Sequence, residues 1–299
     1  MKKQLNTPVL LLAFKRPDTT KLVFERIRKA RPKKFFIHVD GPRNEEEKKK
    51  VEEVKKIVSQ VDWPCKLKTF FRSKNKGLSS LVGAYQWFFK HVPEGIILED
   101  DAIPNQDFFR FCEEMLEKYR NEDRIMHITG CNFQKGKMAN KYSYYFSIFP
   151  HTYGFAMWAN KREKYDPKMK GYLKFKEKIN KFFPHFLERK YIRGIMDYAY
   201  YKNPEAVDTK WMFSFIKDKG LCIIPNKNLV QSIGFSKEAT NTKPIDSFLS
   251  IPTEKIKFPL KHPPKIVRNG EADKRYVWWM FWNKIKKYFL LKTGLYKII

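Results

Sequence analysis

The chain has 299 residues, of which 42% are hydrophobic and 16% aromatic. That is enough to bury a core as one large domain or two small ones, and it excludes intrinsic disorder. Lysine and arginine total 61 against 32 acidic residues, a net charge of +29. Such an excess either attracts polyanions (nucleic acid, an anionic membrane surface, phosphorylated substrates) or reflects a lysine-rich proteome, since the lysines are spread along the whole chain.

Cys65, Cys112, Cys131 and Cys222 lie far apart with no CxxC pair, which argues against a zinc or disulfide framework and fits a reducing, cytoplasmic setting. The N-terminal apolar run is short, closes on Lys15-Arg16 and lacks a small-residue cleavage site, so it reads as a buried strand and not a signal peptide. No apolar run is long enough to predict a transmembrane helix.

In chain order, Val9–Phe14 reads as a strand buried on both faces. Pro17-Asp18-Thr19-Thr20 starts a helix that stops near Pro32. Phe35–Val39 is a second strand ending at Asp40-Gly41, and Glu45–Ser59 is a charged helix. Leu67–Phe71, a helix from Leu78 to His91, and Gly95–Leu98 continue the alternation. Helix Gln106–Tyr119 and strand Ile125–Thr129 follow. Strands alternating with helices at this spacing predict an α/β fold with a mostly parallel central sheet flanked by helices. The second half changes character. Aromatics crowd Tyr142–Trp158, Lys161–Tyr201 is basic and helical, a helix around Lys210–Lys219 leads into strand Leu221–Ile224, and Lys243–Asn269 is Pro- and Lys-rich and extended.

Strand four runs into Glu99-Asp100-Asp101. Ligands of open α/β sheets sit beyond the carboxyl ends of the strands, which makes this cluster a site candidate. In an extended backbone, Glu99 and Asp101 would point one way and Asp100 the other. Adjacent carboxylates raise one another's pKa unless a cation intervenes, and hard oxygens suit Mn²⁺ or Mg²⁺ bound together with substrate phosphates. The alternative is a solvated turn starting the next helix. Arg16 and Asp40 end the first two strands on the same edge. They could bind phosphate and a base or ribose, or be a surface charge and an Asp-Gly turn. Together, opposite charges at three strand ends describe a nucleotide pocket better than a turn.

The stretches PVLLLAFKRPDTT, FFIHVDGPR, KNKGLSSLVGAYQWFF and GIILEDDAIPNQDFF, in that order, resemble the GT-A nucleotide-sugar glycosyltransferases, specifically the N-acetylglucosaminyltransferase I-like group. The resemblance implies a GT-A fold, with Asp101 as ligand of Mn²⁺ on the nucleotide diphosphate. It places Asp100 on the ribose or nucleotide, Glu99 on the donor sugar, Asp40 on a uracil and Arg16 against the nucleotide. HTYGFAMW (His151 to Trp158) is similar to a segment lining the sugar pocket, which implies donor contacts at His151 and Gly154. PEAVDTKWMFSFI is similar to the element bearing the catalytic base, here Asp208. An inverting transfer needs such a carboxylate to take the acceptor proton, although Asp208 could equally cap a helix. Where relatives often carry a Thr-His-Thr-like end, this chain has Thr240-Asn241-Thr242.

These expectations give a catalytic domain over 1–242 and an extended segment with an amphipathic, basic C-terminal helix over 243–299. The implied activity is metal-dependent inverting transfer from a nucleotide-diphosphate sugar, such as a UDP-sugar, to a glycan or lipid-linked acceptor in cell-envelope polysaccharide synthesis. A nucleotidyltransferase would use a similar acid-metal clamp, but AFKRPDTT lacks the glycines of its loop. A non-enzymatic nucleic-acid or anionic-membrane binder would suit the charge, but no nucleic-acid motif is visible. After Asp273, the residues Trp278, Trp282, Ile285 and Phe289 recur at helical spacing beside Lys284, Lys286 and Lys287. That pattern suits peripheral contact with the inner membrane face, or docking on the core or on a second subunit.

Overall fold

A computed structural model describes residues 4–203, 206–235 and 248–292. Strands β1 (Val9–Ala13), β2 (Lys34–Val39), β3 (Lys66–Phe71) and β4 (Glu94–Glu99) are parallel, in the spatial order β3-β2-β1-β4. Side chains of β1 alternate between two cores, as a pleated strand requires. Val9, Leu11 and Ala13 pack with Phe24 and Ile27 of α1 (Pro17–Ala30) and Val51 and Val54 of α2 (Glu45–Val58). Leu10 and Leu12 pack with Ala84 and Phe88 of α3 (Leu78–Phe89) and Phe215 of α9 (Val207–Lys217). This is why VLLLA is a continuous apolar run: the strand has no solvent face.

The rest of the sheet departs from simple alternation. β8 (Phe155–Trp158) inserts antiparallel between β4 and β6 (Ile125–Thr129), so the fifth strand read from the sequence is not the neighbour of the fourth. β9 (Leu221–Pro225) is parallel to β6, and β7 (Tyr144–Ser147) closes that edge antiparallel to β9. The eight-stranded sheet therefore stays mostly parallel, with β7 and β8 reversed. Both come from the aromatic stretch Tyr142–Trp158, whose bulky side chains fill buried strand positions. A separate two-stranded ribbon pairs β5 (Ala102–Pro104) with β10 (Val230–Ser232) immediately after the acid cluster.

α4 (Gln106–Lys118) covers the first core with Phe108, Phe111 and Met115, and Asn105 caps it by accepting from Phe108 N–H. Lys161–Tyr201 is broken into α5 (Ala159–Arg162), α6 (Tyr172–Glu177), α7 (Ile179–Phe182) and α8 (Phe186–Tyr201). The boundary expected at 242/243 and the Thr240-Asn241-Thr242 end lie outside the described residues. From 248 to 269 the chain wraps the domain: Asn105 Nδ2 donates to Glu254 O at 2.7 Å and Lys261 N to Ser143 Oγ at 2.8 Å. α10 (Gly270–Lys292) begins earlier than Asp273 and is anchored by that residue, which is buried and accepts from Ser147 Oγ at 2.6 Å. Among the described residues, no helix is long and apolar enough to cross a membrane.

Candidate active site

A cavity of about 300 Å³ opens at the carboxyl ends of β1, β2 and β4. It is lined by Arg16, Asp40, Glu99 and Asp100, so four of the residues singled out in the sequence meet in one place. The topology explains this. β1 lies between β2 and β4, and all three run the same way, so the residues following each strand emerge side by side.

The acids do not alternate. β4 ends at Glu99 and the chain turns at Asp100-Asp101, so both aspartates swing onto the same guanidinium. Arg16 Nη1 donates to Asp101 Oδ2 at 2.8 Å, Arg16 Nη2 donates to Asp100 Oδ1, and Phe14 N–H donates to Asp100 Oδ2 at 3.1 Å. The extended-strand expectation fails because the turn ends the period of two. Burial opposes the Arg16 charge, but Asp100 and Asp101 outweigh it and raise its pKa. Burial pushes the Asp100 carboxyl up to about 6 against the pull of Arg16. Glu99 is raised well above the carboxylate range by burial first and then by repulsion from Asp101, Asp208 and Asp100.

Asp101 Oδ1 is buried and has no hydrogen-bond partner. A buried carboxylate oxygen left in this way has room for a hydrogen-bond donor or a cation. Among the described residues, no group of three or more His, Cys, Asp or Glu side chains could hold a metal by itself. One free carboxylate oxygen suits an ion whose other ligands come from a bound substrate and not from the protein.

Asp40 lines the cavity with its lone pairs already engaged. It accepts from Gly41 N–H at 2.9 Å, Asn75 Nδ2 at 3.0 Å and Lys76 N–H at 3.3 Å. Its carboxylate ties the β2 end to the 72–77 loop, and a Cβ at Gly41 would come within 2.4 Å of the Lys74 backbone, so only glycine permits that approach. His38, also in the wall, bonds Ser80 Oγ through Nε2 at 3.2 Å, and burial with nearby Arg72 lowers its pKa to about 4.

Asp208 lies in the first turn of α9, and the cap of that helix is Ala206, so Asp208 is not the N-cap. Thr152 Oγ1 donates to it at 3.1 Å. The residue is open to solvent by area, but the cleft around it is deep enough that burial raises its carboxyl pKa against the Thr152 bond. Tyr153 and Tyr85 connect the two regions. Burial is the main cause of the raised pKa of each phenol, and both also feel Asp208 and Glu99, so these carboxylates belong to one electrostatic neighbourhood.

A second cavity, of about 180 Å³, sits beside Asp208 and is lined also by His151, Tyr191, Tyr276 and Lys284. His151 faces this cavity and not the one at the strand ends. It packs edge-on against Phe133 and Tyr276 with ring centroids 4.7 and 4.8 Å away, and burial and His127 lower its pKa to about 3. Gly154 lines neither cavity. It holds φ +71°, accepts from Gly130 N–H through its carbonyl at 2.9 Å, and packs on Val230 and Leu98.

Several contributors escaped the sequence, Tyr85 and Thr152 among them, and two more show why. One is Tyr153, for which adjacency to His151 was the only available signal. The other is Gly234, where a Cβ would stand 1.9 Å from Asp101 Oδ2; the β5–β10 ribbon brings it there, and Ile233 N–H donates to Asp101 O at 2.9 Å. No protein-family model matches the chain, and no curated protein matches it. Among solved structures the chain is similar to mouse xyloside xylosyltransferase 1 in its apo form. That match has 12% identity and a TM-score of 0.37, over 72% of this chain and 82% of that one. So distant a likeness carries no argument about the reaction.

Proposed function

We propose that the protein is a glycosyltransferase of the inverting, metal-dependent kind, taking a nucleotide-diphosphate sugar as donor and a hydroxyl as acceptor. The observation that supports this best is the strand-end cavity, which gathers Arg16, Asp40, Glu99 and Asp100 beside the unpaired Asp101 Oδ1, with Asp208 in the same electrostatic field. A cavity of about 300 Å³ at this place in an open sheet suits a nucleoside, and the acids beside it suit the charged end of the donor.

In this reading Asp101 would hold Mn²⁺ or Mg²⁺ together with the donor phosphates. Such an ion, when bound, supplies positive charge opposite the departing diphosphate. The chain's own groups do the rest. Arg16 compensates Asp100 and Asp101 and is placed to pair with phosphate. Glu99, whose carboxyl pKa is raised by burial and by the neighbouring carboxylates, faces the cavity where it can hydrogen-bond a sugar hydroxyl. Asp208 accepts the acceptor's hydroxyl proton as that oxygen bonds the anomeric carbon, and the anomeric C–O bond to the diphosphate breaks with its electron pair leaving on the nucleotide. Its raised pKa makes it a stronger base than an ordinary aspartate.

The test is nucleotide release from a panel of UDP-, GDP- and dTDP-sugars, with and without Mn²⁺, together with calorimetric binding of the free nucleotides. Divalent-dependent binding that is lost in Asp101→Ala is expected. Failure of every nucleotide to bind, or undiminished binding by Asp101→Ala, would overturn the proposal.

A further inference from the structure

α10 carries two unlike faces. At 3.6 residues per turn, Trp278, Trp282, Ile285 and Phe289 fall within about 60° of arc, opposite Asp273 and Tyr276. The inner face is fixed to the fold: Asp273 is 1% exposed and bonds Ser147 and Arg268, and Tyr276 packs on Phe149 and His151. The outer face is turned to solvent. Trp278, Trp282 and Phe289 are 36%, 57% and 59% exposed, an unusual state for three large rings in line on one helix.

Charge selects among the partners such a face could take. The acids of α10, Glu271 and Asp273, lie in its first turn, and from Lys274 to Lys292 the helix carries only basic charge. Lys274 and Lys292 flank the aromatic stripe on one side and the exposed Lys286 on the other. Two copies docking stripe to stripe would bring these lysines together. A negatively charged lipid surface instead satisfies both features, since Trp and Phe partition into the headgroup boundary while lysines meet anionic headgroups.

We propose that α10 seats the protein on an anionic lipid bilayer through Trp278, Trp282 and Phe289. The docking does not depend on the transferase reading, but one consequence does. Tyr276 and Lys284, on the opposite side of this helix, line the cavity beside Asp208, so docking would hold that cavity one helix diameter (~10 Å) from the bilayer and favour an acceptor glycan carried on a lipid.

The full chain is mixed with vesicles of phosphatidylcholine alone or with phosphatidylglycerol, and the bound fraction is measured by sedimentation. A net charge of +29 would bind anionic vesicles weakly by itself, so the deciding variant keeps every charge: Trp278→Ser/Trp282→Ser/Phe289→Ser. All three positions are exposed, so the fold is expected to survive, which circular dichroism checks. Expected are binding to the anionic vesicles with quenching of tryptophan by brominated lipid, and at least about a tenfold lower partition coefficient in the variant. Equal binding by both proteins would reduce the effect to bulk charge and overturn the proposal. So would a wild-type dimer that the variant abolishes with no vesicle binding, which would make the face an interface between copies. Nucleotide binding measured on the same samples without lipid reports on the transferase reading separately.

Discussion

Arg16→Ala tests the electrostatics of the strand-end cavity most directly. The guanidinium bonds both Asp100 and Asp101, whose side chains are 4% and 9% exposed, while Arg16 itself is 21% exposed. Removing one partner of a buried ion pair costs about 3–5 kcal/mol, because the remaining charge is stranded. Water can reach the arginine side of this pair, so a loss of about 2–3 kcal/mol at pH 8 is the expectation. The loss must also depend on pH. With Arg16 present, the folded-state pKa of Asp100 is about 6, above its unfolded value, so folded protein holds a proton there that unfolded chain has released. That proton stabilises the fold below about pH 6, and the benefit fades as pH rises through the folded pKa. Without Arg16 the folded pKa climbs further, so the variant and the wild type differ little near pH 4.5 and diverge above pH ~6. Urea unfolding at pH 4.5 and pH 8 measures this. A difference below about 0.5 kcal/mol at pH 8, or one equal at both pH values, would refute the charge-compensation reasoning.

Three further outcomes follow from the geometry. Asp208→Asn removes the proton acceptor without changing shape, so turnover should fall about 10²–10⁴-fold while nucleotide affinity measured by calorimetry is kept; a variant turning over normally would dismiss Asp208 as base. Gly234→Ala places a methyl group 1.9 Å from Asp101 Oδ2, so a cost of about 1–3 kcal/mol in thermal or urea unfolding and weaker nucleotide binding are expected, and neutrality in both would refute the close approach of the ribbon to Asp101. Glu47 is held down to about 2 first by its hydrogen bond to Arg43, with Lys15 assisting, so its contribution is present above the unfolded carboxylate range and lost as pH falls toward 2. Arg43→Ala, with Arg43 half exposed, should therefore cost only ~1 kcal/mol at pH 7, with the gap closing near pH 2 in parallel urea titrations.

How much of this was legible in the sequence differs along the chain. The first four strands and four helices were readable because each answers to a local rule. VLLLA is apolar throughout because both faces are covered, and Asn105 precedes α4 because its side chain caps the helix. The convergence of Arg16, Asp40, Glu99 and Asp100 was readable for the same reason, since parallel neighbouring strands present their ends on one edge. In contrast, β8 could not be assigned its place from FAMW. Four buried residues fit any interior strand, and its position between β4 and β6 comes from pairing with partners about 30 to 60 residues away in sequence.

The sequence by itself therefore determined the class of fold, the acid cluster and its basic counterpart, because these rest on hydrophobic period, strand polarity and the kinds of charge present. Only the tertiary structure decided which charges meet. The turn after Glu99 sends Asp100 and Asp101 to one guanidinium, the β5–β10 ribbon lays Gly234 on Asp101, and Asp40 spends its lone pairs on the neighbouring loop. The tertiary structure likewise placed His151 beside Asp208, and made Gly154 a packing position. Charges and hydrogen bonds act over a few ångströms in any direction, and distance along the chain carries no record of them once the turns and long-range pairings are made.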